Sequence, residues 1–261
     1  MVSFSAFRSD SKADFIDGDA KETSFRKVKH NAFKPGEVLE YRLHYGFLDA
    51  GIARLEVHKY SQKIAGREVY HIIGTGESKG SFDWFYKVRD RYETYLDVDG
   101  VFPWLFIRRV NEGGYIINQD YKFLQHKKKV DNGEGEVFDT PENIQDMLSA
   151  FYYARTIDFS NAKKGQIFTI WSFVDDEVWP LKIKYAGKDV VKVGKKKYKA
   201  LKFHPVIQAG RIFKNEDDLN VWISDDGNKI PLMAQAKILV GSIKMELQDY
   251  EGLANPLALA D

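Results

Sequence analysis

The sequence predicts a mostly antiparallel β protein: one large meander, curled into a barrel or half-barrel, with a single amphipathic helix inserted at about residues 142–156. Three observations carry this. Apolar and polar residues alternate with period two over many short stretches, the signature of half-buried strands. Turn-forming groups such as Ala65-Gly66, Asp99-Gly100, Gly113-Gly114 and Asp225-Asp226-Gly227-Asn228 punctuate them. One segment switches to a helical period. The 18 Phe and 14 Tyr support the same reading, because rings pack well on a pleated surface.

Regular pattern begins after Pro35-Gly36. Leu39, Tyr41, Leu43 and Tyr45 alternate with Glu40, Arg42 and His44, and a turn at Asp49-Ala50-Gly51 leads to Ala53, Leu55 and Val57. Strands follow at 68–77, 88–97, 104–111 and 117–123, with a short helical turn at Phe82–Tyr86 and a ragged hairpin at 126–138. The helix has agreeing signals. Thr140 is placed to cap, Pro141 suits the first helical position, and Glu142 favours the positive end. Ile144, Met147, Leu148, Phe151 and Tyr152 then form one apolar stripe. Residues 166–174, apolar on both faces, read as a deeply buried strand. Further strands run from Trp179 to Leu247, through hairpins at Gly194 and 225–228. About a dozen strands at this spacing curl or close instead of staying flat.

The 39 basic and 38 acidic residues leave a net charge of +1, so no global field steers the chain to nucleic acid. There is no cysteine, which removes disulfides, thiolate metal sites and cysteine nucleophiles. No apolar run reaches the ~18–20 residues of a membrane span. Residues 1–7, apolar and small before Arg8, look like the end of a signal-peptide apolar region without its basic leader. The organisation expected is a flexible or loosely docked lead-in (1–31), one β-meander domain (32–250) and a loose tail (251–261). The runs Lys127–Lys129 and Lys195–Lys197 lie beside turn residues and read as solvated hairpin ends.

No catalytic or metal constellation emerges, and no cofactor is implied. The histidines lack metal-ligand spacing, although His44 and His58 lie on polar faces of adjacent strands. Gly74-Thr75-Gly76 with Gly80 lacks the βαβ setting of a phosphate loop, and its glycines read as points of strand bending. Val88-Arg89-Asp90-Arg91-Tyr92 is dense in charge for a strand. Either Asp90 or the Arg89/Arg91 pair points inward and needs a partner, with Arg155 or Arg108 as candidates, or anchors a ligand. On the helix, Asp146, Ser149 and Tyr153 share a flank, more suited to locking the helix to the sheet than to catalysis. The candidate binding residues are therefore Asp90, Arg89, Arg91, Asp146, Tyr153 and Arg155, with none catalytic.

Several segments resemble one family when taken together: Phe33-Lys34-Pro35-Gly36-Glu37, Tyr45-Gly46, Val88-Arg89-Asp90-Arg91, Phe102-Pro103 and Gln145-Asp146-Met147-Leu148-Ser149-Ala150-Phe151-Tyr152-Tyr153-Ala154-Arg155. They resemble DUF3108, uncharacterised exported or cell-envelope proteins of Bacteroidota and Proteobacteria, over roughly residues 31–250. The resemblance implies a large folded-over meander, similar to half-barrel lipoprotein carriers, and export to the periplasm or the periplasmic face of the outer membrane. It transfers no catalytic residue. The resulting expectation is a non-catalytic protein binding a lipid, lipoprotein or outer-membrane partner on a concave β surface. The alternatives are a scaffold subunit of an outer-membrane assembly, or a hydrolase of carbohydrate or lipid using Asp90, His44 or Asp146.

Overall fold

A computed structural model describes residues 24–59, 62–206, 218–237 and 241–261. The possible signal remnant at the N-terminus lies outside them. Among the described residues, fifteen strands form one antiparallel sheet. The first half runs β1 (Val38–Tyr45), β2 (Leu48–Val57), β3 (Gln62–Ile64), β4 (Arg67–Ser78), the short helix α1 (Gly80–Phe85), β5 (Arg89–Asp97), β6 (Pro103–Glu112), β7 (Tyr115–Leu124), β8 (Lys129–Asp131) and β9 (Val137–Asp139). Helix α2 (Met147–Ala154) intervenes. Then come β10 (Ile167–Val174), β11 (Glu177–Val193), β12 (Lys196–Pro205), β13 (Leu219–Ser224), β14 (Pro231–Lys237) and β15 (Ser242–Glu251).

Consecutive strands pair within each half, and β15 pairs with β1, so the second half precedes the first across the sheet. The two end strands are β9 and β10, which are consecutive in the chain, and the sheet is not closed between them. The connection holding α2 lies at this seam. β10 nevertheless curls against the first half. Phe173 meets Tyr121 and Phe138 edge-on or tilted, with ring centroids 5.2 and 5.3 Å apart, and Arg108 pairs with Asp175 at 2.7 Å.

Five expectations are corrected. The first hairpin turns at Gly46-Phe47, not at 49–51. Gly46 takes φ +58°, whereas Gly51 lies within β2, where a Cβ would stand 2.4 Å from the Glu77 carbonyl. The helix begins five residues later than 142. Asn143 adopts φ +57°, and Gln145 is taken by the sheet: its N–H donates to Trp171 O (2.9 Å) and its carbonyl accepts from Phe173 N–H (2.7 Å). β10 is not deeply buried, because as an end strand it leaves Ile167 and Trp171 exposed. The C-terminal tail is not loose. Asn255 exchanges 2.8 Å bonds with Asn228, and residues 258–260 run beside β12, with Lys199 N–H donating to Ala258 O and Ala260 N–H to Lys197 O. The described part of the lead-in is also docked: Arg26 donates to Gly100 O and Val101 O, each at 2.7 Å, and Phe25 packs on Trp104.

The main core lies on the inner face, where Leu148 and Tyr152 of α2 meet Phe33, Val57, Ile72, Phe106, Tyr121 and Phe173. At its edge sits a fully buried ion pair. Arg155, just after α2, donates to Glu37 Oε1 (2.6 Å) and Oε2 (2.8 Å), to Ala32 O (2.8 Å) and to Asn228 O (2.9 Å). Its guanidinium also lies near the rings of Tyr152 and Phe33, at 5.1 and 5.3 Å. One side chain thus joins the lead-in, β1, α2 and the β13–β14 turn. Removing one partner of a buried pair leaves an uncompensated charge, at a cost of about 3–5 kcal/mol. Arg155→Met is expected to lower the urea-unfolding free energy by that amount. Combining it with Glu37→Met should recover at least half of the loss, and a double variant as unstable as the single one would contradict this account.

Candidate functional site

The candidate site is the inner face of the sheet on either side of α2. Its position follows from polar anchors at both helix ends. At the N-terminus, Leu148 and Ser149 N–H donate to Asp146 Oδ1 at 2.7 Å each, while Asp146 N–H donates to Ser149 Oγ at 2.8 Å. This reciprocal capping box starts the helix at Met147. Thr94 of β5 donates its hydroxyl to the other carboxylate oxygen at 2.6 Å. Gln145 Nε2 adds a bond to Val101 O at 3.1 Å. At the C-terminus, Arg155 makes the bonds already described. The helix therefore crosses the inner face from β5 to β1.

Two hollows remain beside it. The first, about 210 Å³, lies between α2 and the second half of the sheet, lined by Met147, Phe151 and Ala154 with Ile183, Phe203 and Ile223. The second, about 240 Å³, lies between α2 and β2, β4 and β5, lined by Met147 and Leu148 with Ala53, Gly74, Gly76 and Tyr92. Ala53 and Gly76 are register partners, as are Leu55 and Gly74, so the floor of this hollow carries little side-chain bulk. Gly74 is needed for close approach: a Cβ there would stand 3.2 Å from Leu55 and 3.7 Å from Leu148. At Gly76 a Cβ would meet nothing nearer than Asp90 Cβ at 3.9 Å. These glycines leave the inner face open beneath α2. Met147 borders both hollows and is 42% exposed, so they communicate with solvent past its flexible side chain.

The predicted site residues are only partly brought together. Asp146 and Arg155 anchor the helix. Asp90 lines the second hollow and accepts Asn111 N–H at 3.1 Å; burial first, and then this neighbouring carboxylate, raise the Glu112 carboxyl pKa. Its expected pairing with Arg155 or Arg108 gives way to Arg155–Glu37 and Arg108–Asp175. Arg89 pairs with Asp83 and Arg91 with Glu93, away from the helix. Tyr153 faces the lead-in, with the Arg26 guanidinium 4.3 Å from its ring centre. His44 lies near the first hairpin turn and His58 beyond the far end of β2, so antiparallel pairing separates them. His44 neighbours Glu246 at 3.6 Å, and the hydrolase candidates Asp90, His44 and Asp146 do not converge. Among the described residues no group of three His, Asp or Glu side chains is arranged to hold a metal. Sequence reasoning missed Glu37, whose signal was a carboxylate directly after Pro35-Gly36, and the paired small residues Ala53, Gly74 and Gly76.

An open antiparallel sheet, curled around one internal helix, defines the class as a barrel-like β protein. The chain belongs to the family described as a protein of unknown function, DUF3108, whose sequence profile matches residues 40–248. Its fold is similar to the crystal structure of a β-barrel-like protein of the domain of unknown function DUF1849 from Brucella abortus. That match has a TM-score of 0.52 at 13% identity and covers 87% of this chain and 99% of that one. A match to "a putative lipoprotein from Parabacteroides distasonis" covers 88% of this chain and 100% of that one, at a TM-score of 0.33 and 8% identity. No curated protein sequence matches the chain. No described helix is long and apolar enough to cross a membrane.

The anchor at Asp146 has a pH consequence. Burial raises its carboxyl pKa from the ordinary 3.8 to about 6, against the hydrogen bonds from Thr94, Ser149 and Leu148. A raised folded-state value favours the protonated form, so this contribution is fully present below pH 3.8 and is lost as pH rises to about 6. Glu93 acts oppositely. Burial raises its pKa, but bonds from His71 and Arg91 outweigh that and hold it at about 2, so its contribution is lost as pH falls from 4.5 towards 2. Asp146→Asn is expected to flatten the stability decline between pH 4 and 6, measured by thermal melts. An unchanged slope would contradict the assignment.

Proposed function

We propose that the protein is a non-catalytic cell-envelope carrier that holds an apolar chain, such as a lipid acyl group, beside α2. The observation that carries this reading is the pair of apolar hollows meeting at the exposed Met147. A close-packed interior leaves few voids larger than a water molecule, and apolar cavities of this kind accept apolar guests. Each hollow alone falls short of the ~300 Å³ at the low end of ligand sites. The occupant is accordingly a thin chain that threads past Met147, not a compact ring system. The charged side chains at the margin of the first hollow are Arg155, committed to Glu37, and Lys229. Location in the periplasm, or on the periplasmic face of the outer membrane, is part of the proposal and is supported by the exported setting that the motif resemblance implies. Cell fractionation tests it, and recovery in the cytosol alone would contradict it.

Delipidated protein titrated with a fluorescent polyene fatty acid should take it up saturably. Gly76→Val and Ala154→Leu each place bulk in one hollow. Each is expected to weaken uptake about tenfold, the effect of ~1.4 kcal/mol, with the melting temperature unchanged or raised. Absence of saturable uptake by the unmodified protein would sink the carrier reading.

A further inference from the structure

The geometry points to a second, separate surface: an aromatic rim at one end of the sheet that docks on the interfacial region of a lipid bilayer. Three elements build it. Gly51 pairs with Ser78, Glu77 with Arg89, and Val88 bridges to Glu112. The β1–β2 turn, α1 and the β6–β7 turn therefore share one end. They are also in contact. The Phe82 ring lies 6.4 Å from that of Tyr45, and the Tyr86 ring lies so close over Gly113 that a Cβ there would stand 2.6 Å from it.

This end exposes large apolar side chains. Phe47 at the hairpin tip is 94% exposed, Trp84 83% and Phe85 70%, and Tyr115 is exposed beside them. Such rings at protruding tips are costly in water and favourable at the headgroup level of a bilayer, where Trp and Tyr concentrate. The shape favours a bilayer over a protein partner. The Trp84 and Phe85 rings meet edge-on on α1, with centroids 5.2 Å apart, and Phe47 stands on a different element. A ring pair on α1 and a separate ring at the β1–β2 tip are two isolated protrusions, which a fluid interface accommodates singly more readily than a folded partner's surface does. The neighbouring charges are largely matched, Arg89 with Asp83 and Lys79 with Glu77. Binding is therefore driven by the rings and does not need anionic lipid.

The rim adjoins the proposed carrier site. Gly76, on the floor of the second hollow, lies two residues from the end of β4, about 7 Å along the strand. Docking this end would bring the hollow to the membrane from which an apolar chain must come. That link rests on the carrier reading; the docking itself rests on the exposed rings alone.

The test is flotation of the full chain with phosphatidylcholine vesicles, with and without added phosphatidylglycerol, at low salt and at about 0.5 M salt, where surface charges are screened. The unmodified protein should float with both vesicle types at both salt levels. The variant Phe47→Ser/Trp84→Ser/Phe85→Ser should lose at least tenfold in partitioning while keeping its melting temperature and its uptake of fatty acid from solution. Phe47→Ser alone should show an intermediate loss. Failure of the unmodified protein to float, flotation only with anionic vesicles at low salt, or an unaffected triple variant would each overturn the rim. Failure of fatty-acid uptake with intact flotation would instead remove the carrier reading and leave the rim standing.

Discussion

The structure depends on where Arg155 goes. A guanidinium is always charged, and burying one is tolerated only with a partner and nearly complete hydrogen bonding. Here the fork is met by Glu37 and by the carbonyls of Ala32 and Asn228. Those three residues belong to the lead-in, the start of β1 and the β13–β14 turn, on either side of the β15–β1 junction that joins the two halves of the sheet. The pair does not make the protein stable in the way apolar burial does, because desolvation offsets much of the attraction. It makes one arrangement permissible: any other register of these segments strands a buried charge.

A second anchor at Asp146 turns this from a pin into an axis. With both ends of α2 held by polar bonds, the helix need not sink until its apolar stripe is filled on both flanks. Leu148 and Tyr152 reach the core, while Met147 and Phe151 line open space. Small residues at 53, 74 and 76 extend that space on one side. Hollows beside a helix would ordinarily collapse, since each lost contact weakens packing. Here collapse would break anchors at both ends. That is the physical reason the space beside α2 stays open.

Much of the fold was readable locally. Alternation from Leu39 to Tyr45 specifies β1, and Ala65-Gly66 and Gly113-Gly114 mark true turns. The errors share a cause. Asp49-Ala50-Gly51 has turn composition, yet Gly51 is there because β4 passes too closely for a Cβ. Thr140-Pro141-Glu142 has helix-start composition, yet the edge of β10 claims Gln145 first. In both places a distant strand overrides a local preference. The site was legible in part: Arg155 and Asp146 stand out as charges on an apolar helix. The partner of Arg155 lies 118 residues away, and no local pattern could choose Glu37 over Asp90. Likewise, glycines two apart in a strand disclose a shared face but not what lies over it.

The central claim is that anchoring at both ends keeps space open beside α2 for an apolar chain. A crystal structure of the protein soaked with a terminally brominated fatty acid tests it most directly. The account predicts anomalous bromine density between α2 and the sheet, within reach of Met147. Bromine found only elsewhere, or an interior closed around α2 with no bound chain, would contradict it.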